Sequence, residues 1–74
     1  MSGFAANLKK IRKNSNITQR KLGEHLGYQY TAIANYESGR NEPSIDDLIK
    51  IAEFFDVTMD YLVGRENGKR KGEY

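Results

Sequence analysis

The chain has 74 residues, with twelve Lys and Arg against ten Asp and Glu, one histidine and no cysteine. That length allows one small domain with a modest core; the missing cysteines exclude disulfide staples and thiolate metal sites, and a lone His25 argues against a histidine-based metal centre. No apolar run reaches membrane-spanning length and no leader pattern opens the chain, so a soluble, cytoplasmic domain without membrane contact is expected.

The net charge of +2 is unevenly laid out. Residues 1–40 carry seven basic residues against Glu24 and Glu37, a net of +5. Residues 41–64 carry Lys50 against six acids, a net of −5. A chain basic in one half and acidic in the other suggests a polyanion partner on the basic side.

The first segment, "GFAANLKKIRKN", sets Phe4, Leu8 and Ile11 on one helical stripe with basic residues around it. Ser2 is a candidate cap, and "NSN" at 14–16 breaks the helix. Thr18 is a good N-cap for a second helix, which buries Leu22 and Leu26 and stops at Gly27. That helix breaks two local rules. Arg20 and Lys21 sit in the first turn, where the helix dipole disfavours cations by about a few tenths of a kcal/mol. Gly23 sits in its middle, at a cost of about 0.5–1 kcal/mol relative to Ala. A phosphate near the N-terminus would reverse the first penalty, and close packing against a neighbouring helix would explain the second.

The next stretch, "GYQYTAIANYESG" (27–39), alternates like a strand, with Tyr28, Tyr30 and Tyr36 on one side of a pleat. A single strand would leave its backbone groups unpaired, and no second segment offers a partner. Residues 29–37 are therefore read as a helix. At about 100° per residue, Ala32, Ile33 and Tyr36 face the core, and Tyr30, Thr31, Ala34 and Asn35 face outward. Tyr28 is read as a partly buried turn residue and His25 as a solvated one.

After the loop "SGRNEP", Ser44-Ile45-Asp46-Asp47 resembles a capping box with two acids in the first turn. Leu48, Ile51, Ala52 and Phe55 follow at helical spacing, with Ile45 and Phe54 beside them. Thr58 caps a last helix, "MDYLVG", ending at Gly64. Residues 65–74 are nearly free of apolar side chains and read as a flexible basic tail. Residues 1–64 then form one all-α domain of five short helices. Asp46 and Asp47 are better explained as capping acids than as a catalytic pair, since no nucleophile or metal site accompanies them.

Helix, turn and outward-facing helix in this order give a helix-turn-helix layout over residues 18–38. The stretch "TQRKLGEHLGYQYTAIANYESGRNEPS" resembles the phage repressor and Cro-type helix-turn-helix family, also called the Xre family. Thr18-Gln19, Leu22, a small residue at 23, Gly27, Ile33, Tyr36-Glu37, Gly39 and Pro43 carry the resemblance. "LIKIAEFFDVTMDYLVG" is similar to the family's fourth and fifth helices, so the likeness covers about residues 5–64. Gln29 departs from the usual Ser or Thr, Gly23 from the usual Ala, and Arg20 and Lys21 from the usual acids.

The resemblance implies a compact bundle of the lambda repressor-like DNA-binding type. Helix 3 would lie in the major groove, with Tyr30, Thr31 and Asn35 as base readers and Ala34 against a thymine methyl. For Tyr30, solvent exposure or packing is the alternative. Gln19, Arg20, Arg40 and Asn41 would hold phosphates. Arg12 would pair with Glu37 in a structural salt bridge. Met59, Tyr61 and Val63 are either core or a dimer surface, and the family's use of its fifth helix favours the latter. The expected function is a sequence-specific double-stranded DNA-binding regulator, bacterial or phage-encoded. It would act as a repressor and homodimer on an inverted repeat, without cofactor, metal or small-molecule ligand. The alternative is a protein-interaction module such as an antitoxin on the same fold, and nothing in the sequence suggests an enzyme.

Overall fold

A computed structural model describes residues 3–65. Its five helices are α1 (Phe4–Asn14), α2 (Gln19–Leu26), α3 (Tyr30–Ser38), α4 (Ile45–Phe55) and α5 (Met59–Leu62). Each contributes one fully buried aliphatic side chain to a shared core: Leu8, Leu22, Ile33, Ile51 and Leu62. No helix has enough apolar surface to stand alone, so the shared contact is what makes all of them cooperative.

The helix starts follow from local chemistry. Thr18, Ser44 and Thr58 each accept a hydrogen bond from the backbone N–H three residues on, at 3.0, 3.1 and 2.9 Å. Each satisfies one donor that the first turn leaves orphaned. The proposed Ser2 cap lies outside the described residues, and Gly3 holds the N-cap position of α1 without a side-chain bond. Gly3 is pressed against the other end of the fold: a Cβ there would meet the Val63 carbonyl oxygen at 2.6 Å. Beside it, the Asn7 amide donates to the Tyr61 carbonyl at 3.1 Å, tying α1 to α5.

Several expectations are corrected. The strand-like stretch is helical, but α3 begins at Tyr30 rather than Gln29 and runs to Ser38. Gln29 is its N-cap in extended backbone and makes no side-chain capping bond. Ile45 does not join the inner stripe; it is 64% exposed, and Ile49 is exposed beside it, because α4 buries its Leu48–Ile51–Ala52 side instead. Asp47 is more than a capping acid. It is buried, and its two carboxylate oxygens accept from the hydroxyls of Tyr36 at 2.7 Å and Tyr28 at 3.2 Å. Tyr28 is correspondingly more exposed than expected, hooked by its hydroxyl rather than packed by its ring. Of the basic tail, only Arg65 falls within the described residues.

Candidate nucleic-acid interface

Helices α2 and α3 pack closely, and Gly23 shows how closely. A Cβ at Gly23 would lie 2.9 Å from the Tyr28 carbonyl oxygen and 3.2 Å from the Gln29 carbonyl. The neighbour that demands glycine is thus the backbone entering α3, not the body of another helix. Gly27 turns the chain with φ 80°, a left-handed conformation that glycine adopts without Cβ strain. The Tyr28 N–H then closes back on the Gly23 carbonyl at 2.8 Å.

From this turn α3 emerges with two faces. Ile33 and Tyr36 are buried, and Tyr36 meets Phe4 edge-on with ring centroids 5.9 Å apart. Tyr30 and Thr31 are exposed, and Ala34 and Asn35 are half-buried on the same outer side. Among the described residues the side chains of Thr31 and Asn35 make no hydrogen bond, so their polar groups are open to a ligand. The Asn35 carbonyl accepts from the N–H groups of Arg40 at 3.0 Å and Asn41 at 3.3 Å, closing the end of α3. Gly39, at φ 81°, makes that turn, and the side chains of Arg40 and Asn41 are left exposed just beyond the helix.

The inner side of this surface is held by a buried ion pair. Arg12 Nε and Nη2 donate to the two oxygens of Glu37 at 2.5 and 3.1 Å, and both side chains are largely buried, at 11% and 4% exposure. Arg12 Nη1 also donates to the Ile17 carbonyl at 2.8 Å. The salt bridge expected from the resemblance is therefore present, and it is a network. Gln19 Nε2 donates to Glu37 Oε1 at 3.1 Å, so α1, α2 and α3 meet at one carboxylate. Gln19 is thereby fixed at the start of α2 while the second N–H of its amide is still available.

Electrostatics inside the domain are set by Asp47. Burial, together with its hydrogen bond to this carboxylate, pushes the Tyr36 phenol well above its ordinary pKa of 10. The same carboxylate raises that of Tyr28, first through the hydrogen bond and then through its charge. Both tyrosines stay neutral donors, which ties α3 and the turn before it to the start of α4. Sequence reasoning missed this role. The hint was an acid at the third helical position of α4 in a chain with one tyrosine just before α3 and another within it.

The other sequence-selected residues are distributed as follows. The guanidinium of Arg20 lies over the Tyr30 ring, 5.2 Å from its centroid. Met59, Tyr61 and Val63 are each half-buried and pack against the core. His25 is exposed as expected, but it rests on Phe54 with ring centroids 4.5 Å apart. No group of metal-binding side chains occurs among the described residues, and no helix there is long and apolar enough to cross a membrane.

A short helix with an open polar face, set on a glycine turn against a second helix, defines a helix-turn-helix domain. The chain belongs to the helix-turn-helix family, whose sequence pattern matches residues 8–62. It is similar to the uncharacterized HTH-type transcriptional regulator YqaE of Bacillus subtilis, with 39% identity over 67 residues, 90% of this chain and 58% of that protein. It is also similar to the HTH-type transcriptional activator BcrR of Enterococcus faecalis, with 40% identity over 63 residues, 85% of this chain and 31% of that protein. The chain thus spans just over half of the first relative and about a third of the second. In structure it resembles the P22 c2 repressor, solved in complex with a synthetic operator. The TM-score is 0.79 at 25% identity, covering 85% of this chain and 96% of that one. The resemblance to phage repressors holds at the level of family and fold.

Proposed function

We propose that this chain is a sequence-specific DNA-binding transcriptional regulator that inserts α3 into the major groove of double-stranded DNA. The carrying observation is the open outer face of α3, with Thr31 and Asn35 unbonded among the described residues, on a domain like that of an operator-bound repressor. Asn35 suits adenine, to which an amide pairs bidentately; Thr31 suits several bases; Ala34 suits a thymine methyl. Tyr30 is the first side chain of this face. Gln19, held by Glu37, presents its remaining N–H beside the free backbone donors of the first turn of α2, a good phosphate seat. Arg40 and Asn41 reach the backbone beyond the other end of α3. The acidic 41–64 half lies on α4 and α5 and turns from the DNA.

One short helix gives modest affinity, so the regulator acts as a homodimer on an inverted repeat, with half-sites about one helical turn apart. The outer sides of Met59, Tyr61 and Val63 form the contact, next to exposed Ile49. Bound over a promoter, such a dimer represses by occlusion. The domain comprises residues 1–64, and the protein works in the cytoplasm.

Selection from a randomised duplex library at moderate salt tests this reading. One half-site sequence is expected to be enriched, with Asn35→Ala and Thr31→Ala each lowering affinity for it by about tenfold or more while the melting temperature holds. Enrichment of no sequence, with affinity set by salt alone, refutes it. A second reading, a protein-interaction module with α5 as its main surface, draws on exposed Ile49 beside that helix. Under it, substitutions at Tyr61 or Val63 abolish function and those at Asn35 are silent.

A further inference from the structure

The pairing of Arg20 with Tyr30 crosses from α2 to α3, and nothing in the helix-turn-helix layout requires it. Arg20 lies in the first turn of α2, where the helix dipole disfavours a cation. Tyr30 opens α3 and leaves 45% of its surface exposed, an unusually large aromatic for a base-reading position. Each residue is anomalous alone. Together they form one object, with the guanidinium carbon 5.2 Å from the ring centroid. Beside the pair, Tyr28 and Gln29 border an open hollow of about 330 Å³ at the edge of the reading face. Glu24, one turn along α2, borders the same hollow as Arg20 and Tyr30.

We propose that Arg20 and Tyr30 act as a single base-reading unit for guanine, with Tyr30 as the platform and Arg20 as the reader. This rests on the major-groove reading above. A phosphate contact needs only a positive charge near the backbone, which a mobile side chain supplies. A guanidinium laid on an aromatic face is different. Contact with the ring limits its rotational freedom, and a guanidinium engaged through its face keeps its N–H edges for donation in pairs. The two acceptors O6 and N7 of guanine match that fork, and no other base offers two acceptors side by side in the major groove. The first position of α3 is thus read through a residue of α2, and the bulk of Tyr30 is explained as support rather than as recognition.

The test is selection from the randomised duplex library with the full chain, repeated for Arg20→Lys, Tyr30→Phe and Tyr30→Ala, with melting curves for each. The wild type is expected to enrich guanine at one position per half-site. Arg20→Lys keeps the charge and is expected to flatten that position alone, with about a tenfold or larger loss on the wild-type consensus. Tyr30→Phe keeps the platform and the preference, and Tyr30→Ala flattens the same position as Arg20→Lys. The unit is refuted if Arg20→Lys leaves the profile unchanged, or if Tyr30→Ala alters a different position or none. It is also refuted if loss on Arg20 substitution is uniform across sequences. Failure of the wild type to enrich any sequence refutes the DNA-binding reading itself, and the wild-type selection distinguishes that result from the others.

Discussion

Glu37→Ala is the sharpest probe of what holds α3 in place. The substitution removes one carboxylate and strands two donors. Arg12 loses both of its contacts to Glu37 and keeps only the Ile17 carbonyl, and Gln19 loses its anchor. Because the Arg12 side chain is only 11% exposed, water cannot fully replace the lost partner. Removing one partner of a buried pair costs about 3–5 kcal/mol. A chain of this length has a total stability of about 4–11 kcal/mol, so a large share of it is at stake. At about 4–8 °C per kcal/mol, the melting temperature should fall by at least about 12 °C. The controls are Arg12→Met and Glu37→Met, made singly and combined. With both charges gone, the remaining losses are single hydrogen bonds at Ile17 and Gln19, about 1 kcal/mol each. The double variant should therefore be more stable than either single one. Urea titration followed by circular dichroism gives all four corners of the cycle, and repetition in 1 M salt should change the coupling little. Single variants that each lose under about 1 kcal/mol, and add without coupling, would identify an ordinary surface pair and refute this account.

Three further expectations concern other parts of the domain. Tyr36→Phe removes the 2.7 Å bond to Asp47 and should cost about 1.5–3 kcal/mol at pH 7, measured by urea denaturation. The Tyr36 phenol has a higher pKa folded than unfolded, so its stabilisation is complete below pH 10 and is lost as pH rises beyond it; melting curves between pH 9 and 12 should decline less steeply in the Phe variant. Gly23→Ala should lower the melting temperature although alanine favours helices by about 1 kcal/mol, because its Cβ meets the Tyr28 carbonyl oxygen at 2.9 Å; an unchanged or raised value would show that the turn yields freely. Ser44→Ala should cost about 1 kcal/mol through loss of the bond to the Asp47 N–H, with DNA affinity of the folded protein unaffected in a gel-shift assay.

The sequence exposed the fold where a signal was local. Thr18, Ser44 and Thr58 announce helix starts because a hydroxyl three residues before a free N–H is a short-range device. Gly27 and Gly39 announce stops for the same reason. The two faces of α3 were legible once the absence of a second strand had removed the pleated reading of 28–36. What stayed hidden was every contact between distant segments. Asp47 looked like a first-turn acid, since nothing nearby in sequence reveals that hydroxyls eleven and nineteen residues earlier converge on it. Ile45 fitted the apolar period of α4, yet periodicity does not say where a stripe ends. Gln19 and Arg20 were both expected, from the family resemblance, to hold phosphates; only the tertiary arrangement ties one to Glu37 and sets the other over Tyr30. The Arg12–Glu37 pair was legible only through family resemblance.

Helix α3 divides its labour by position in a way that bears on how such a domain changes over time. Ile33, Tyr36 and Glu37 carry most of the burial, the hydroxyl bond to Asp47 and the ion pair to Arg12, while the outward positions 31, 34 and 35 are exposed or half-buried and make none of these bonds. Substitutions at the outward positions are nearly free of stability consequences, so they can be sampled one at a time without passing through an unfolded ancestor. If α3 reads DNA as proposed, the same frame can drift from one DNA sequence to another. Position 30 is the exception, because it is tied to Arg20, and a change there must be matched on the neighbouring helix.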